Sequence, residues 1–152
     1  MALFLSTFIN KVDKKSRVSV PATFRSALAN QSYSGVILFP SLQHESIEGC
    51  GIDRFEKIAD GIDDLNPFSD KHDDFTKAIF GQSVQLPFDS EGRIILTDSL
   101  IKFANIIESA AFVGQGRTFQ IWNPENLNKL RVQALKRARE DRSSLKLGGP
   151  EK

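Results

Sequence analysis

A chain of 152 residues with 40% hydrophobic side chains and twelve Phe can build one domain, or two small repeats around a shared core. The single cysteine, Cys50, excludes an intrachain disulfide framework and a cysteine-based zinc cluster, which fits a reducing, cytoplasmic setting. The formal net charge of +1 hides strong segregation: five bases against one acid in residues 1–30, ten acids against three bases in 45–74, and seven bases against three acids in 131–152. Separated poles of this kind suit a basic face for an anionic partner.

The N-terminal run from Met1 to Ile9 is apolar but short and lacks a basic n-region, so it reads as a first strand rather than a signal peptide. No apolar run is long enough to span a membrane. The first strand is expected over Leu3 to Ile9. Asp13 to Ser16 form a turn, because Asp and Ser bond nearby backbone, and Arg17 to Val20 alternate as a half-buried strand does. Pro21 opens a short helix, Ala22 to Leu28, with Phe24 and Leu28 on one face. Val36 to Phe39 read as a buried strand, and Ser46 to Gly51 as a weak, Gly-rich one.

Asp53 is expected to cap a helix over Arg54 to Asp60, with a loop from Gly61 to Pro67. Ser69 offers a cap for a second helix to about Ile79, its first turn rich in Asp. Ser83 to Phe88 and Arg93 to Leu96 are strands around a turn at Asp89 to Gly92, followed by a helix from Thr97 and Asp98 to Ala104. Ile106 to Val113 and Arg117 to Trp122 form a hairpin around Gly114-Gln-Gly116. Asn123-Pro124 starts a final helix with Leu127, Leu130, Ala134 and Leu135 on one face and bases on the rest.

The order is therefore β-turn-β-helix-β-β-helix, twice. Asp13-Lys-Lys-Ser-Arg17 returns as Asp89-Ser-Glu-Gly-Arg93 at an offset of 76 residues. Two repeats this small rarely hold separate cores, and a shared barrel with helices at its ends is the economical solution.

Asp13-Lys-Lys-Ser-Arg17-Val-Ser-Val-Pro-Ala-Thr-Phe-Arg25 resembles the N-terminal hairpin of the MraZ family, and Asp89-Ser-Glu-Gly-Arg93-Ile-Ile-Leu its second repeat. Phe119-Gln-Ile-Trp-Asn-Pro124 resembles the strand that leads into the family's last helix, so the likeness runs from Phe8 to about Leu135. The resemblance implies a β-rich α+β fold, an AbrB-like (SpoVT-AbrB) swapped-hairpin barrel built from two internal repeats with flanking helices. The repeats would be 1–80, with a helical insertion, and 81–135, leaving 136–152 as a basic helix end and tail. It also implies a transcriptional regulator that forms closed homo-oligomeric rings, sits on the nucleoid and binds short direct repeats in double-stranded DNA upstream of its own cell-division and cell-wall operon. The chain departs from the family pattern in having Ser16 where Gly precedes the Arg, and Thr97 where Pro follows the second strand. A left-handed Ser16 would cost about 1 kcal/mol, unless the first turn is built differently.

Physically, each turn offers an Asp and an Arg on opposite shoulders. Asp13 and Asp89 are structural: an acid repels phosphate, but it can hold an arginine in one rotamer. Arg17 with Lys14 and Lys15 favours DNA contact, because a turn that carries two lysines repels itself unless something neutralises it. Lysines suit phosphates, and an arginine fork suits a guanine edge. Arg93 divides between structure and binding, as does Arg25, and Lys11 is a lesser candidate. The first turn carries three bases against one acid, the second one base against two acids, so the first should be the one that meets DNA.

Neither His44 nor His72 comes in a motif with Cys50, and no metal-ligand cluster or phosphate-binding Gly loop is present. The expectation is a non-enzyme without metal, cofactor or small-molecule substrate. A ring-forming scaffold or antitoxin-like protein-interaction module is the alternative to a DNA-binding regulator.

Overall fold

Strands β1 (Thr7–Lys11) and β2 (Arg17–Ser19) flank the first turn, and helix α1 (Ala22–Ala27) follows Pro21. Next come β3 (Gly35–Pro40), β4 (Ile47–Cys50) and two helices, α2 (Ile52–Asp63) and α3 (Asp70–Ala78). The second half replays the order with β5 (Val84–Pro87), β6 (Arg93–Ile95), α4 (Asp98–Ala104), β7 (Ser109–Gly114), β8 (Phe119–Trp122) and α5 (Pro124–Glu140). The structure, a computed structural model, describes residues 2–149.

Six strands form one antiparallel sheet in the order β1-β7-β8-β4-β3-β5, and β2 and β6 form a separate two-stranded ribbon. The order is a palindrome once β1 is matched to β5, β3 to β7 and β4 to β8. Its registers match too: Lys11 lies opposite Ser109, and Pro87 opposite Gly35. At the centre Glu48 faces Gln120, and in the ribbon Val18 faces Ile94, which places a pseudo-twofold axis through both pairs. Each half lends its first strand to the other half's sheet edge.

The expected closed barrel is not formed among the described residues. The sheet is open, with β1 and β5 as its edges. The reason lies at the turns, where β1 reaches β2 through one bridge only, Val12 to Val18, so the ladder does not run on from sheet to ribbon.

Alternation sorts the sheet's side chains into two faces. Val36, Leu38, Ala110, Phe112, Phe119 and Ile121 point inward to the main core, with the ribbon's Val18 and Ile94 and with Phe24 and Leu100 from α1 and α4. Phe24 is fully buried, and its ring lies 5.2 Å from Phe4, 5.7 Å from Phe8 and 5.4 Å from Phe119. On the outer face α2 packs on Phe39 through Phe55, Ile58 and Ile62, while α5 packs on Ala111 and Trp122 through Leu127.

Several local expectations need correction. The first strand starts at Thr7 rather than Leu3, because Ser6 adopts a left-handed φ of 73° and leaves Phe4 only a bridge to Gly116. Asp53 does not cap α2: the helix begins two residues earlier, at Ile52 after Gly51, and Gln31 Oε1 accepts the Asp53 N–H from 22 residues away. Gly61 lies inside α2, which runs on to Asp63. Ser69 and Thr97 do cap, accepting from His72 and Leu100. Of the twelve Phe, Phe68 stands 94% exposed and lends nothing to the core. Along α5 only Leu127 is buried and Leu130 partly so; Ala134 and Leu135 face solvent. No helix among the described residues is long and apolar enough to cross a membrane.

Candidate nucleic-acid interface

The two turns are built alike. Asp13 Oδ1 accepts from the Lys15 and Arg17 backbone N–H groups, both at 2.9 Å, and Oδ2 accepts from Arg17 Nε at 2.7 Å. Asp89 Oδ1 accepts from Glu91 (2.8 Å) and Arg93 (2.9 Å) N–H groups, and Oδ2 from Arg93 Nε at 2.8 Å. Backbone bonds close each loop: Ser16 N–H donates to Asp13 O, and Gly92 N–H to Asp89 O, both at 3.0 Å. Both Asp carboxyls are held below the usual carboxylate range, chiefly by the backbone N–H of the following Arg and further by its guanidinium, against a smaller opposing effect of desolvation. Arg93 is pushed above its ordinary value, chiefly by its bond to Asp89.

The fourth residue of each turn is left-handed, with φ of 63° at Ser16 and 75° at Gly92. The first turn is therefore not built differently; Ser16 takes the strained conformation. Each of these residues also turns its carbonyl to the other repeat: Leu96 N–H donates to Ser16 O at 2.9 Å, and Val20 N–H to Gly92 O at 3.1 Å. The two hairpins clasp one another, and that reciprocal pair extends the ribbon.

Register decides what the ribbon shows to solvent. Arg17 pairs with Ile95 and Arg93 with Ser19, so with Val18 and Ile94 facing the core all four point outward. The arginine side chains remain 33% and 27% exposed and lie diagonally across the pseudo-twofold. Both fix their Nε to an Asp. The outer guanidinium nitrogens of Arg17 have no hydrogen-bond or ion-pair partner among the described residues, whereas Nη2 of Arg93 has the Glu91 carboxylate at 3.9 Å. Lys14 and Lys15 are exposed at one end, without ion pairs among the described residues. Lys11, at the end of β1, is exposed as well.

Arg25 stands apart from this face. Its Nη1 donates to the Val20 carbonyl, and its side chain lies over Gly92, where an added Cβ would sit 2.6 Å from Arg25 Nε. Helix α1 of the first half thus holds the turn of the second. Ser19 and Ile95, central to the outward face, are the residues that sequence reasoning did not single out; alternation in Arg17-Val-Ser-Val hints at Ser19, but only the cross-repeat register finds Ile95.

The remaining chemistry is sparse. Burial pushes the Cys50 thiol up to about 12, so it is no nucleophile at neutral pH. Among the described residues, no group of three or more His, Cys, Asp or Glu is placed to hold a metal ion.

A family model described as "MraZ protein, putative antitoxin-like" matches residues 79–145, which take in the second hairpin and α5. The Transcriptional regulator MraZ of Pelagibacter ubique is 54% identical over 144 residues, spanning 95% of this chain and 93% of that protein. The chain belongs to the MraZ family. The Transcriptional regulator MraZ of Rickettsia felis is 49% identical over 146 residues, or 96% of this chain and 98% of the relative. The MraZ likeness to these relatives thus covers the first hairpin, which lies outside the span of the family model.

Proposed function

We propose that the chain is a transcriptional regulator that binds double-stranded DNA through the outward face of the β2–β6 ribbon. The observation that carries this reading is the pair of Asp-fixed arginines, Arg17 and Arg93, on one exposed face, with Lys14 and Lys15 at its end. A two-stranded ribbon fits the major groove, where an arginine fork bonds guanine and lysines bond phosphates. Fixing each arginine beforehand lowers the entropy lost on binding. Arg17 takes the leading role because its outer nitrogens are unengaged among the described residues, Arg93 a secondary one, and Arg25 a positioning role at the second turn.

So few cations per copy bind weakly at physiological salt. The reading therefore includes a closed homo-oligomeric ring that presents several ribbons to short direct repeats, each raising the effective concentration of the next. The target is the promoter of the protein's own cell-division and cell-wall operon, with the protein cytoplasmic and nucleoid-associated. The two-repeat division, 1–80 and 81–135, and a swapped-hairpin architecture belong to the same reading; the cross-repeat pairing of β1 with β7 and β5 with β3 supports them.

Fluorescence anisotropy with duplex DNA from upstream of the protein's own gene, measured across salt, tests it. Steep salt dependence is expected, with affinity lost about 10- to 100-fold in Arg17→Ala at unchanged circular dichroism. Absence of binding at low salt overturns it. A second reading, a protein-interaction module, draws support from Ile95, which is 58% exposed at the ribbon's centre.

A further inference from the structure

Helix α5 continues well past the body it packs on. Leu130 is its last partly buried residue, and every residue from Arg131 to Gly149 is exposed. Ten helical residues, about 15 Å, therefore stand free. A free helical segment of that length is marginal in water, since its bonds barely offset the entropy of ordering it. The arm nevertheless carries apolar residues, with Val132 73% exposed and Leu135 also outward. Residues 131–146 hold six bases against two acids.

The other half of the same sheet face bears the opposite charge. Residues 60–74, at the α2–α3 corner, hold six acids against one lysine. Among these only Asp73 has an ion pair within the described residues, to Lys77 at 2.6 Å. Phe68 stands exposed between Asp63 and Asp64 on one side and Asp70 on the other. The two regions follow equivalent strands: α2 comes after β4 and packs on β3, and α5 comes after β8 and packs on β7. The pseudo-twofold thus sets a basic arm on one flank and an acidic, apolar-tipped corner on the other.

We infer that the α5 arm of one copy docks on the α2–α3 corner of a second copy of this chain. Lys136, Arg137 and Arg139 meet Asp63, Asp64 and Asp70, while Val132 and Leu135 cover Phe68. The arm and the corner are different surfaces, so the contact is heterologous and can repeat from copy to copy, closing a ring when the rotation allows. This supplies an interface for the homo-oligomer of the preceding reading.

Charge exchange tests it. The arm reversal K136E/R137E/R139E and the corner reversal D63K/D64K/D70K are each expected to reduce the mass by light scattering to that of a single 16.9 kDa chain. A chain carrying all six changes restores complementarity and is expected to reassemble, with circular dichroism reporting the fold of all three. An arm reversal that leaves the mass unchanged overturns the inference, as does a six-fold chain that stays folded and monomeric, or a parent protein that is itself monomeric. Unchanged mass with weakened binding to a duplex holding one site assigns the arm to DNA instead, which also overturns it. Arg17→Ala keeps the two readings apart: it is expected to lose DNA and keep its mass. Assembly that obeys charge exchange in a protein that binds no duplex at all sinks the DNA reading and upholds this one.

Discussion

The two hairpin turns have almost the same skeleton and very different surfaces. Asp13 and Asp89 accept the same three bonds from equivalent positions, at distances within 0.1 Å of each other. Between the Asp and the Arg, however, the first turn carries Lys14, Lys15 and Ser16, and the second Ser90, Glu91 and Gly92. The skeleton is what folding needs, because each turn's fourth carbonyl must reach the other repeat. The side chains between the shoulders touch nothing in the core and are free to serve binding. The comparison also explains why Ser is borne at one left-handed position and Gly kept at the other: Gly92 lies under the Arg25 side chain, and the residue equivalent to Arg25 in the second repeat is Ile101.

The sharpest way to break the likeness is at that glycine. Gly92→Ala adds left-handed strain and a collision with Arg25, so it should destabilise by about 2 kcal/mol and lower Tm by roughly 4–8 °C. Ser16→Gly should do the reverse, raising stability by up to about 1 kcal/mol in the same thermal melts. Next in size is the difference between the arginines. Arg93→Ala should weaken binding to operator duplex by about 1 kcal/mol less than Arg17→Ala, because Glu91 already screens it; equal losses would make the two turns functionally equivalent.

Lys14→Ala and Lys15→Ala should weaken binding across all sequences alike, each reducing the slope of log affinity against log salt by about one. Ser90→Lys should move the second turn a step toward the first by the same measure.

The smallest effect is with pH. Both Asp carboxyls sit below their ordinary value in the fold, so their support for the turns is complete above the unfolded carboxylate range and is lost as pH falls through the lower folded values. Melts should be insensitive to these groups from pH 8 to about 5 and should weaken below about 4. Asp13→Asn and Asp89→Asn should each flatten that acid limb, to similar degrees if the skeletons are equivalent.

Much of this was legible in the residues. The offset of 76 between Asp13 and Asp89 marked the repeat, and the helix starts at Ser69, Thr97 and Asn123 carried their own capping chemistry. What local pattern could not carry was cross-repeat. The register that turns Arg17 and Arg93 to one face depends on pairing between β2 and β6, and short strands do not encode a partner 76 residues away. The N-terminus of α2 misled for the same reason, since its cap comes from Gln31 rather than from Asp53. The apolar stripe on α5 was visible, but its spacing is the same whether the body of the chain or another molecule covers it.

The pairing of β1 with β7 has a consequence in time. Lys11 lies opposite Ser109, so the first strand to be synthesised has no ladder on β7 until 98 further residues exist. At about 5–20 residues per second, that strand waits roughly 5–20 s on the ribosome. Phe4 and Phe8, which end around Phe24, pass that interval with Phe112 and Phe119 not yet made. The interlocking that gives two half-size repeats one core also obliges the first strand to wait, apolar and unpaired, for the second half.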